Sequence, residues 1–139
     1  MSEENLALTR KATEALNQAL SRGEFDAWLA FLSPDVEWEA LEGVPEMGVL
    51  YRGRAGVREW IGLMLKDTEQ GVHIEIEQMA DVGDDRVFIA VVLAARRRDS
   101  GMPFELRTWQ ILWFEDGLIT RRQIFWTRPE ALKSAGLRG

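Results

Sequence analysis

The segment that decides the fold is Glu115-Asp116-Gly117-Leu118-Ile119-Thr120-Arg121-Arg122-Gln123-Ile124-Phe125-Trp126. An acidic residue, Asp and Gly between two apolar-rich runs are typical of a tight β-hairpin turn. The chain continues as Thr127-Arg128-Pro129-Glu130-Ala131-Leu132-Lys133-Ser134-Ala135-Gly136-Leu137, which predicts a short helix with proline in its first turn and Gly136 at its end. The last quarter of the chain is therefore predicted to be a hairpin followed by a helix.

From Gly71 onwards the hydrophobic pattern changes from the helical period to that of extended strands. The turns contain Asp, Gly or both, and the strands that they join are predicted near 73–82, 85–97, 103–115 and 118–126. This order predicts an antiparallel meander. Residues 87–95 and 109–114 are apolar on both faces, whereas a sheet with one wet face alternates. Because the helices cover one face only, we expect a homodimer through the outer face of the sheet.

Three helices are predicted before the meander. The first ends at Gly23 and places apolar residues at steps of three and four, namely Leu8, Ala12, Ala15, Leu16, Ala19 and Leu20. The second is short and buries Phe25, Trp28, Leu29 and Leu32. It is expected to end at Ser33-Pro34-Asp35, since the residue before a proline avoids the helical conformation. A strand over 36–40, a loop over 41–50 and a third helix over 54–67 follow.

Composition limits the classes of function. The 139 residues are expected to form a single domain over 1–139. With 17 Lys and Arg against 23 Asp and Glu, the net charge of −6 argues against nucleic acid as a partner. The absence of cysteine and the single histidine exclude thiolate and histidine-rich metal sites. No apolar run of membrane length and no secretory signal are present, so we expect a cytoplasmic protein without a membrane partner.

The order of helices, curved antiparallel sheet and C-terminal helix resembles the SnoaL-like, or nuclear transport factor 2-like, superfamily, whose fold is that of ketosteroid isomerase. The stretches that carry the resemblance are Arg22-Gly23-Glu24-Phe25-Asp26-Ala27, Pro34-Asp35-Val36-Glu37-Trp38, Tyr51-Arg52-Gly53-Arg54, Asp116-Gly117-Leu118-Ile119 and Arg128-Pro129-Glu130-Ala131-Leu132. The resemblance implies an α+β fold in which three N-terminal helices pack on a curved, mostly antiparallel sheet. This cone-shaped α+β barrel would end in a short helix. Because the superfamily hosts isomerases, cyclases, hydrolases, dehydratases and binding modules, the resemblance selects no single activity.

The ketosteroid isomerase branch is the nearest mechanistic template. Its members use a Tyr and an Asp as oxyanion donors and a second Asp as the base. The matching positions here are Leu16, Gln110 and Ala40, and an alanine cannot abstract a proton. The ketosteroid isomerase residues are therefore not present, although the aromatic pocket positions of that family fall on Trp60 and Trp126. No cofactor is implied.

Strand alternation gives an independent prediction of the residues that face a cavity. If Trp38 faces the helices, Glu37 and Glu39 face outward, unless a β-bulge turns one of them inward. On the hairpin the same face would hold Leu106, Thr108, Gln110, Leu112, Thr120, Arg122, Ile124 and Trp126. An apolar cavity with few polar groups is typical of a small-molecule site. The predicted ligand-binding residues are Trp38, Tyr51, Trp60, Leu112, Arg122 and Trp126.

Two residues are candidates for catalysis. Gln110 is a polar amide in a buried strand, so either a ligand or neighbouring side chains must satisfy its hydrogen bonds. Glu39 neighbours Ala40, the position where the family keeps its base, and it is either the base of this protein or a solvated strand carboxylate.

The charged residues of the sheet have alternative interpretations. An inward Arg122 needs an anion, which is either a ligand oxygen or a carboxylate of the 41–50 loop, Glu42 or Glu46. A slip in register would turn Arg121 inward instead. The run Arg96-Arg97-Arg98 is interpreted as a solvated edge that discourages strand pairing. His73 at a strand start is interpreted as exposed.

Three functions fit the sequence. The first is an isomerase, cyclase or hydrolase acting by proton transfer on a small hydrophobic compound that bears a carbonyl or carboxylate. In this enzyme Gln110 would polarise an oxygen and Glu39 would move the proton. The second is a non-catalytic module that binds a small apolar ligand, which the missing base favours. The third is a dimeric structural domain, which the doubly apolar strands favour.

Overall fold

A computed structural model of the chain describes residues 2–41, 50–66, 68 and 71–136. The described part is an α+β structure in which helices and strands follow in this order: α1 (Ser2–Arg22), α2 (Asp26–Leu29), β1 (Leu32–Glu39), β2 (Leu50–Arg52), α3 (Gly53–Lys66), β3 (His73–Gly83), β4 (Arg86–Arg96), β5 (Pro103–Glu115), β6 (Leu118–Phe125) and α4 (Arg128–Ser134).

The six strands form one sheet in the order β2-β1-β6-β5-β4-β3. Strands β3 to β6 pair antiparallel as consecutive neighbours, which confirms the predicted meander. Strand β1 pairs parallel with β6 and antiparallel with β2, so the sheet is mixed. The parallel pair joins the N-terminal strands to the meander.

The hairpin at Asp116-Gly117 forms as predicted. Glu115 pairs with Leu118, and both turn residues have positive φ, 51° for Asp116 and 77° for Gly117, as a type I′ turn requires. The helix after it is also confirmed. Thr127 is the N-cap, and its hydroxyl accepts a hydrogen bond from the backbone N–H of Glu130.

The N-terminal half differs from the prediction in two respects. The block of three helices is not matched as such, because α2 has only four residues and two strands separate it from α3. Leu32 is fully buried in β1 rather than in a helix, so Ser33-Pro34-Asp35 lies inside a strand. The register between β1 and β6 shifts between Leu32 and Glu37, and such an irregular stretch tolerates a proline that cannot donate to the ladder.

The loop prediction over residues 41–50 is only partly covered. Strand β2 begins at Leu50 and was not predicted, since three residues are too short to carry an alternating pattern. Residues 42–49, including Glu42 and Glu46, lie outside the described residues.

Helices α1 and α3 pack on the inner face of the sheet. The α1 positions Ala12, Leu16, Ala19 and Leu20 are buried as predicted, and α3 buries Val57, Trp60 and Ile61. The Asn17 side chain fixes α1 to the sheet edge, because its amide donates to the Ile74 carbonyl and its oxygen accepts from the Ile74 N–H, both at 2.8 Å.

The outer face of the sheet is partly covered by the chain itself. Phe88 on β4 packs against Ala131 and Leu132 of α4, and these form a second buried cluster. Helix α4 thus covers part of the outer face of β4, a strand that is apolar on both faces. The homodimer stays a prediction. Among the described helices, none has both the length and the apolar character to cross a membrane.

Candidate functional site

A cavity of about 320 Å³ lies between helices α1 and α3 and the inner face of the sheet. Most of its wall is apolar, with Leu16 from α1, Trp60 from α3 and Ile89 from β4 as representatives. The described lining residues with polar or charged side chains, tryptophan aside, are Thr9, Thr13, Thr68, Arg97, Thr108, Gln110 and Arg122. An apolar enclosure with a few polar groups is the usual composition of a small-molecule site.

The predicted alternation of inward and outward residues on β5 and β6 agrees with the cavity wall, apart from Thr120 and Trp126. The residues Leu106, Thr108, Gln110, Leu112, Arg122 and Ile124 all line the cavity. Thr120, which was predicted to join them, instead lies on the outer face beside Trp113 and Arg121. A register shift between Trp113 and Phe114 pairs Phe114 with Ile119, so Ile119 takes the inward position.

Arg122 is the buried cation of this cavity. Its side chain points inward, which settles the alternative between Arg121 and Arg122, and only 4% of the residue is exposed. The guanidinium carbon lies 4.1 Å from the centre of the Trp38 ring and 4.7 Å from that of Trp60. The two rings are themselves 5.6 Å apart, so one cation contacts both π faces.

The polar partners of Arg122 are few. One terminal N–H donates to the backbone carbonyl of Glu39. Its Nε–H is buried and has no hydrogen-bond partner among the residues that the structure describes, and the same holds for the indole N–H groups of Trp38 and Trp60. Within the described ranges, no carboxylate oxygen lies within 4 Å of the guanidinium. Three adjoining residues therefore hold buried donors that find no acceptor in this part of the chain.

The protonation of Arg122 reflects this environment. Burial lowers the pKa of Arg122 to about 9, and the nearby Glu39 carboxylate opposes the shift. Desolvation disfavours the charged form of a base, whereas an approaching anion favours it. At neutral pH the group is still a cation.

Gln110 is buried on β5 and faces the cavity, as Arg122 on the neighbouring strand β6 does. Its amide N–H donates to the Thr108 hydroxyl at 3.3 Å, so a neighbouring side chain satisfies part of it. Its carbonyl oxygen accepts no hydrogen bond from any residue in the part of the chain that the structure describes. Gln110 pairs with Ile124, and Arg122 is therefore its diagonal neighbour, at roughly 7–8 Å between Cα atoms.

Glu39 does not line the cavity. It is half-buried and faces outward as parity predicted, with its carboxylate 3.8 Å from the guanidinium of Arg121. The structure thus separates the two candidate catalytic residues, because Gln110 faces the cavity and Glu39 faces away from it.

Two predicted ligand-binding residues also lie outside the cavity wall. Trp126 follows the end of β6, and 45% of it is exposed, since the strand alternation stops at Phe125. Tyr51 is buried in β2 opposite Trp38 without lining the cavity, and burial raises its pKa, with Glu59 adding to the shift. Trp38, Trp60, Leu112 and Arg122 do line it.

Several lining residues were not predicted. Thr9 and Thr13 face the cavity from α1, and their hydroxyls donate to the carbonyls of Asn5 and Thr9. Their four-residue spacing places both on one face of the helix. Threonine is a polar residue, however, so the sequence did not indicate that this face lines an apolar cavity. Trp28, assigned to packing alone, stands edge-on to Trp38 at 5.6 Å and also lines the wall.

The described residues hold no group of three or more His, Cys, Asp or Glu side chains placed to bind a metal ion. His73 is exposed, as was expected from its position at a strand start.

Comparison with known proteins assigns the family. The model of the SnoaL-like domain matches residues 13–122. An NTF2-like protein of unknown function from Burkholderia pseudomallei superposes with a TM-score of 0.75 at 19% identity, over 94% of this chain and 95% of that one. The structure of TerC co-crystallised with polyporic acid gives 0.73 at 19% identity, over 96% and 98%.

A proposed polyketide cyclase from Xanthomonas campestris pv. campestris gives a TM-score of 0.68 at 21% identity, over 96% of this chain and 97% of that one. At these identities the likeness shows the fold alone. No curated protein matches the chain in sequence. Since the family model spans most of the 139 residues, the chain belongs to the SnoaL-like domain family.

Proposed function

We propose that the protein binds a small apolar molecule through an anionic or strongly accepting oxygen, and that Arg122 is the group that receives it. One observation carries this proposal. Arg122 is a buried cation on an apolar cavity wall, and no carboxylate of the described residues lies within 4 Å of it. Carbonyl, enolate, phenolate and carboxylate groups all provide the required oxygen.

The energetics of burial support this choice of ligand. An unpaired buried charge is costly, and the lowered pKa of Arg122 reflects that cost. A ligand anion would supply a partner for the guanidinium and could accept from the indole N–H groups of Trp38 and Trp60, which have no acceptor among the described residues. The apolar body of the ligand would fill the rest of the cavity.

The related structures are consistent with such a ligand. TerC has been co-crystallised with polyporic acid, which is an acid, and the Xanthomonas neighbour is named for a cyclase of polyketides. These statements concern those proteins, and they supply a reason to test acids and carbonyl compounds first.

Isothermal titration calorimetry with dodecanoate and 1-dodecanol tests the proposal. Wild-type protein should bind dodecanoate more tightly than the alcohol. Replacing Arg122 by methionine should weaken dodecanoate binding roughly 10- to 100-fold, because a hydrogen bond to a charged group contributes about 1.5–3 kcal/mol. The alcohol should bind both proteins similarly.

Arg121→Met is the matched control, since Arg121 is the adjacent residue on the outer face and should leave both affinities unchanged. Equal binding of dodecanoate by wild type and Arg122→Met would overturn the role of Arg122. Failure of the wild type to bind either compound would overturn the binding function itself.

A second candidate is enolisation of a ketone, favoured by the diagonal placement of Gln110 and Arg122 on one wall. A buried cation can stabilise the enolate oxygen that forms when a solvent molecule removes a proton from the adjacent carbon, and the solvent then returns a deuteron to that carbon. Proton NMR of 2-dodecanone in D₂O measures this exchange. Catalysed exchange should be lost in Arg122→Met and kept in Glu39→Gln, whose carboxylate lies on the other face. No exchange above the uncatalysed rate leaves ligand binding as the function.

A further inference from the structure

The three arginines Arg96, Arg97 and Arg98 are held in different ways. The guanidinium of Arg96 donates to the Gly101 carbonyl at 3.0 Å, and that of Arg98 donates to the Thr68 carbonyl at 2.8 Å. The guanidinium of Arg97 has no hydrogen-bond or ion-pair partner among the residues that the structure describes. Arg97 is therefore the member of the run whose guanidinium is not bound within the described part of the chain.

Arg97 also belongs to the cavity. It is an exposed residue that contributes to the cavity wall, and its guanidinium carbon lies 5.7 Å from the centre of the Phe104 ring. A backbone bridge to Thr68, another lining residue, fixes its position at the end of β4. Arg97 is therefore a cavity-lining cation that solvent reaches.

The two cavity arginines lie toward opposite ends. Arg122 is the strand partner of Leu112, whereas Arg97 lies over Phe104, and both of these residues are on β5. Phe104 and Leu112 are 112 minus 104, or eight, positions apart on β5. On an extended strand this spacing corresponds to roughly 27 Å between their Cα atoms. Leu106, Thr108 and Gln110 line the wall between them.

We propose that Arg97 binds a second anionic group of the ligand, so that the preferred ligand is an elongated apolar molecule with an acidic oxygen at each end. The inner oxygen would meet Arg122 and the outer one Arg97, with the apolar body between them. This inference rests on the proposed ligand-binding function. In a protein with 23 acidic residues, two arginines on one cavity wall without a carboxylate partner in the described part favour an anionic ligand.

The outer contact is the weaker one. Arg97 is exposed, and ion pairs in water contribute less than about 1 kcal/mol, which corresponds to a factor of about five in affinity. Arg97 is therefore a specificity residue that discriminates between ligands, whereas Arg122 governs whether an acid binds at all.

Calorimetric titration with pairs of acids of equal chain length tests the inference. The series runs from decanedioate to octadecanedioate, each compared with the monocarboxylate of the same length. For at least one length, wild type should favour the dicarboxylate by about threefold to fivefold. Arg97→Gln should remove this preference and leave the affinity for the monocarboxylate unchanged.

Arg96→Gln is the matched control, because that arginine belongs to the same run but is bound to the Gly101 carbonyl, and it should keep the preference. The inference is overturned if monocarboxylates bind and no chain length shows a preference that depends on Arg97. If no acid of either series binds wild-type protein, the proposed function fails first and this inference fails with it.

Discussion

Arg121 and Arg122 are consecutive residues on β6 whose side chains lie on opposite faces of the sheet, so the two faces can be compared through the same residue type. Both guanidinium groups lie against tryptophan, Arg121 at 5.7 Å from Trp113 and Arg122 at 4.1 Å from Trp38. On the outer face the Arg121 side chain is 44% exposed and has the Glu39 carboxylate at 3.8 Å. On the inner face Arg122 has a carbonyl and aromatic faces as its contacts in the described part.

The difference concerns charge balance rather than residue type. Water and a carboxylate stabilise the outer cation, so it needs no further partner. The inner cation is removed from water and, among the described residues, has only partial compensation from π electrons and one carbonyl. The inner face therefore suits the anionic ligand that we propose, whereas the outer face does not.

The comparison is tested most strongly by the tryptophans beneath the two arginines. Trp38→Ala should lower the free energy of unfolding by about 3–5 kcal/mol, because it removes a buried ring from contact with Trp28 and Trp60. Trp113→Ala should cost only about 1 kcal/mol, since that ring is half-buried on the outer face. Urea denaturation measures both, and equal losses would contradict the distinction between the faces.

The pH dependence of stability should distinguish the two arginines next. Burial lowers the pKa of Arg122 to about 9 in the folded protein, well below that of an ordinary arginine, so above about pH 9 the unfolded state binds more protons. The free energy of unfolding should therefore rise with pH, by about 1.4 kcal/mol at pH 10, one unit above the folded pKa.

Other groups titrate in the same range, so the quantity to measure is the difference between variants. Urea midpoints between pH 7 and pH 10 should show this contribution in wild type and in Arg121→Met, and its absence in Arg122→Met. A slope that survives in Arg122→Met would show that the contribution has another source.

The smallest expected effect is the change in stability on replacing each arginine at neutral pH. Lowering the pKa of Arg122 to about 9 from the ordinary value of an arginine corresponds to about 5 kcal/mol of lost charge stabilisation. Two cation–π contacts return about 2 kcal/mol each, and the hydrogen bond to the Glu39 carbonyl returns about 1.5 kcal/mol. Because these contributions nearly cancel, Arg122→Met should change the free energy of unfolding by less than about 1 kcal/mol, and Arg121→Met by less than about 0.5 kcal/mol. Destabilisation of more than about 2 kcal/mol by Arg122→Met would mean that the cation is a structural element.

Local chemistry in the sequence predicted the meander well. The residues at Asp116-Gly117 and the alternation along β5 placed Gln110, Leu112 and Arg122 on one face, and the cavity confirms this. Helical spacing likewise identified Trp60 as a buried position of α3. These signals are contained in a few neighbouring residues, which explains why they suffice.

Other features depend on contacts between distant segments. Ser33-Pro34-Asp35 looks like a helix end, but pairing with β6 makes it part of a strand. The irregular register that places Thr120 outward arises where β5, β6 and β1 meet, and alternation cannot locate it. The contact of Arg122 with two tryptophans requires β6, β1 and α3 together. The catalytic interpretation of Glu39 rested on its position beside the family's base, whereas strand parity predicted the outward side chain that the structure shows.

The parallel pairing of β1 with β6 affects how the protein can fold during its synthesis. Leu32 and Ile119 are partners across 119 minus 32, or 87, positions. During synthesis β6, the strand that connects β1 to the meander, leaves the ribosome after the other five strands of the sheet. Until then, β1 and β2 have no strand partner in the meander, so the sheet cannot be completed before β6 has emerged. Such distant pairing slows folding and leaves apolar strands open to aggregation in the interval.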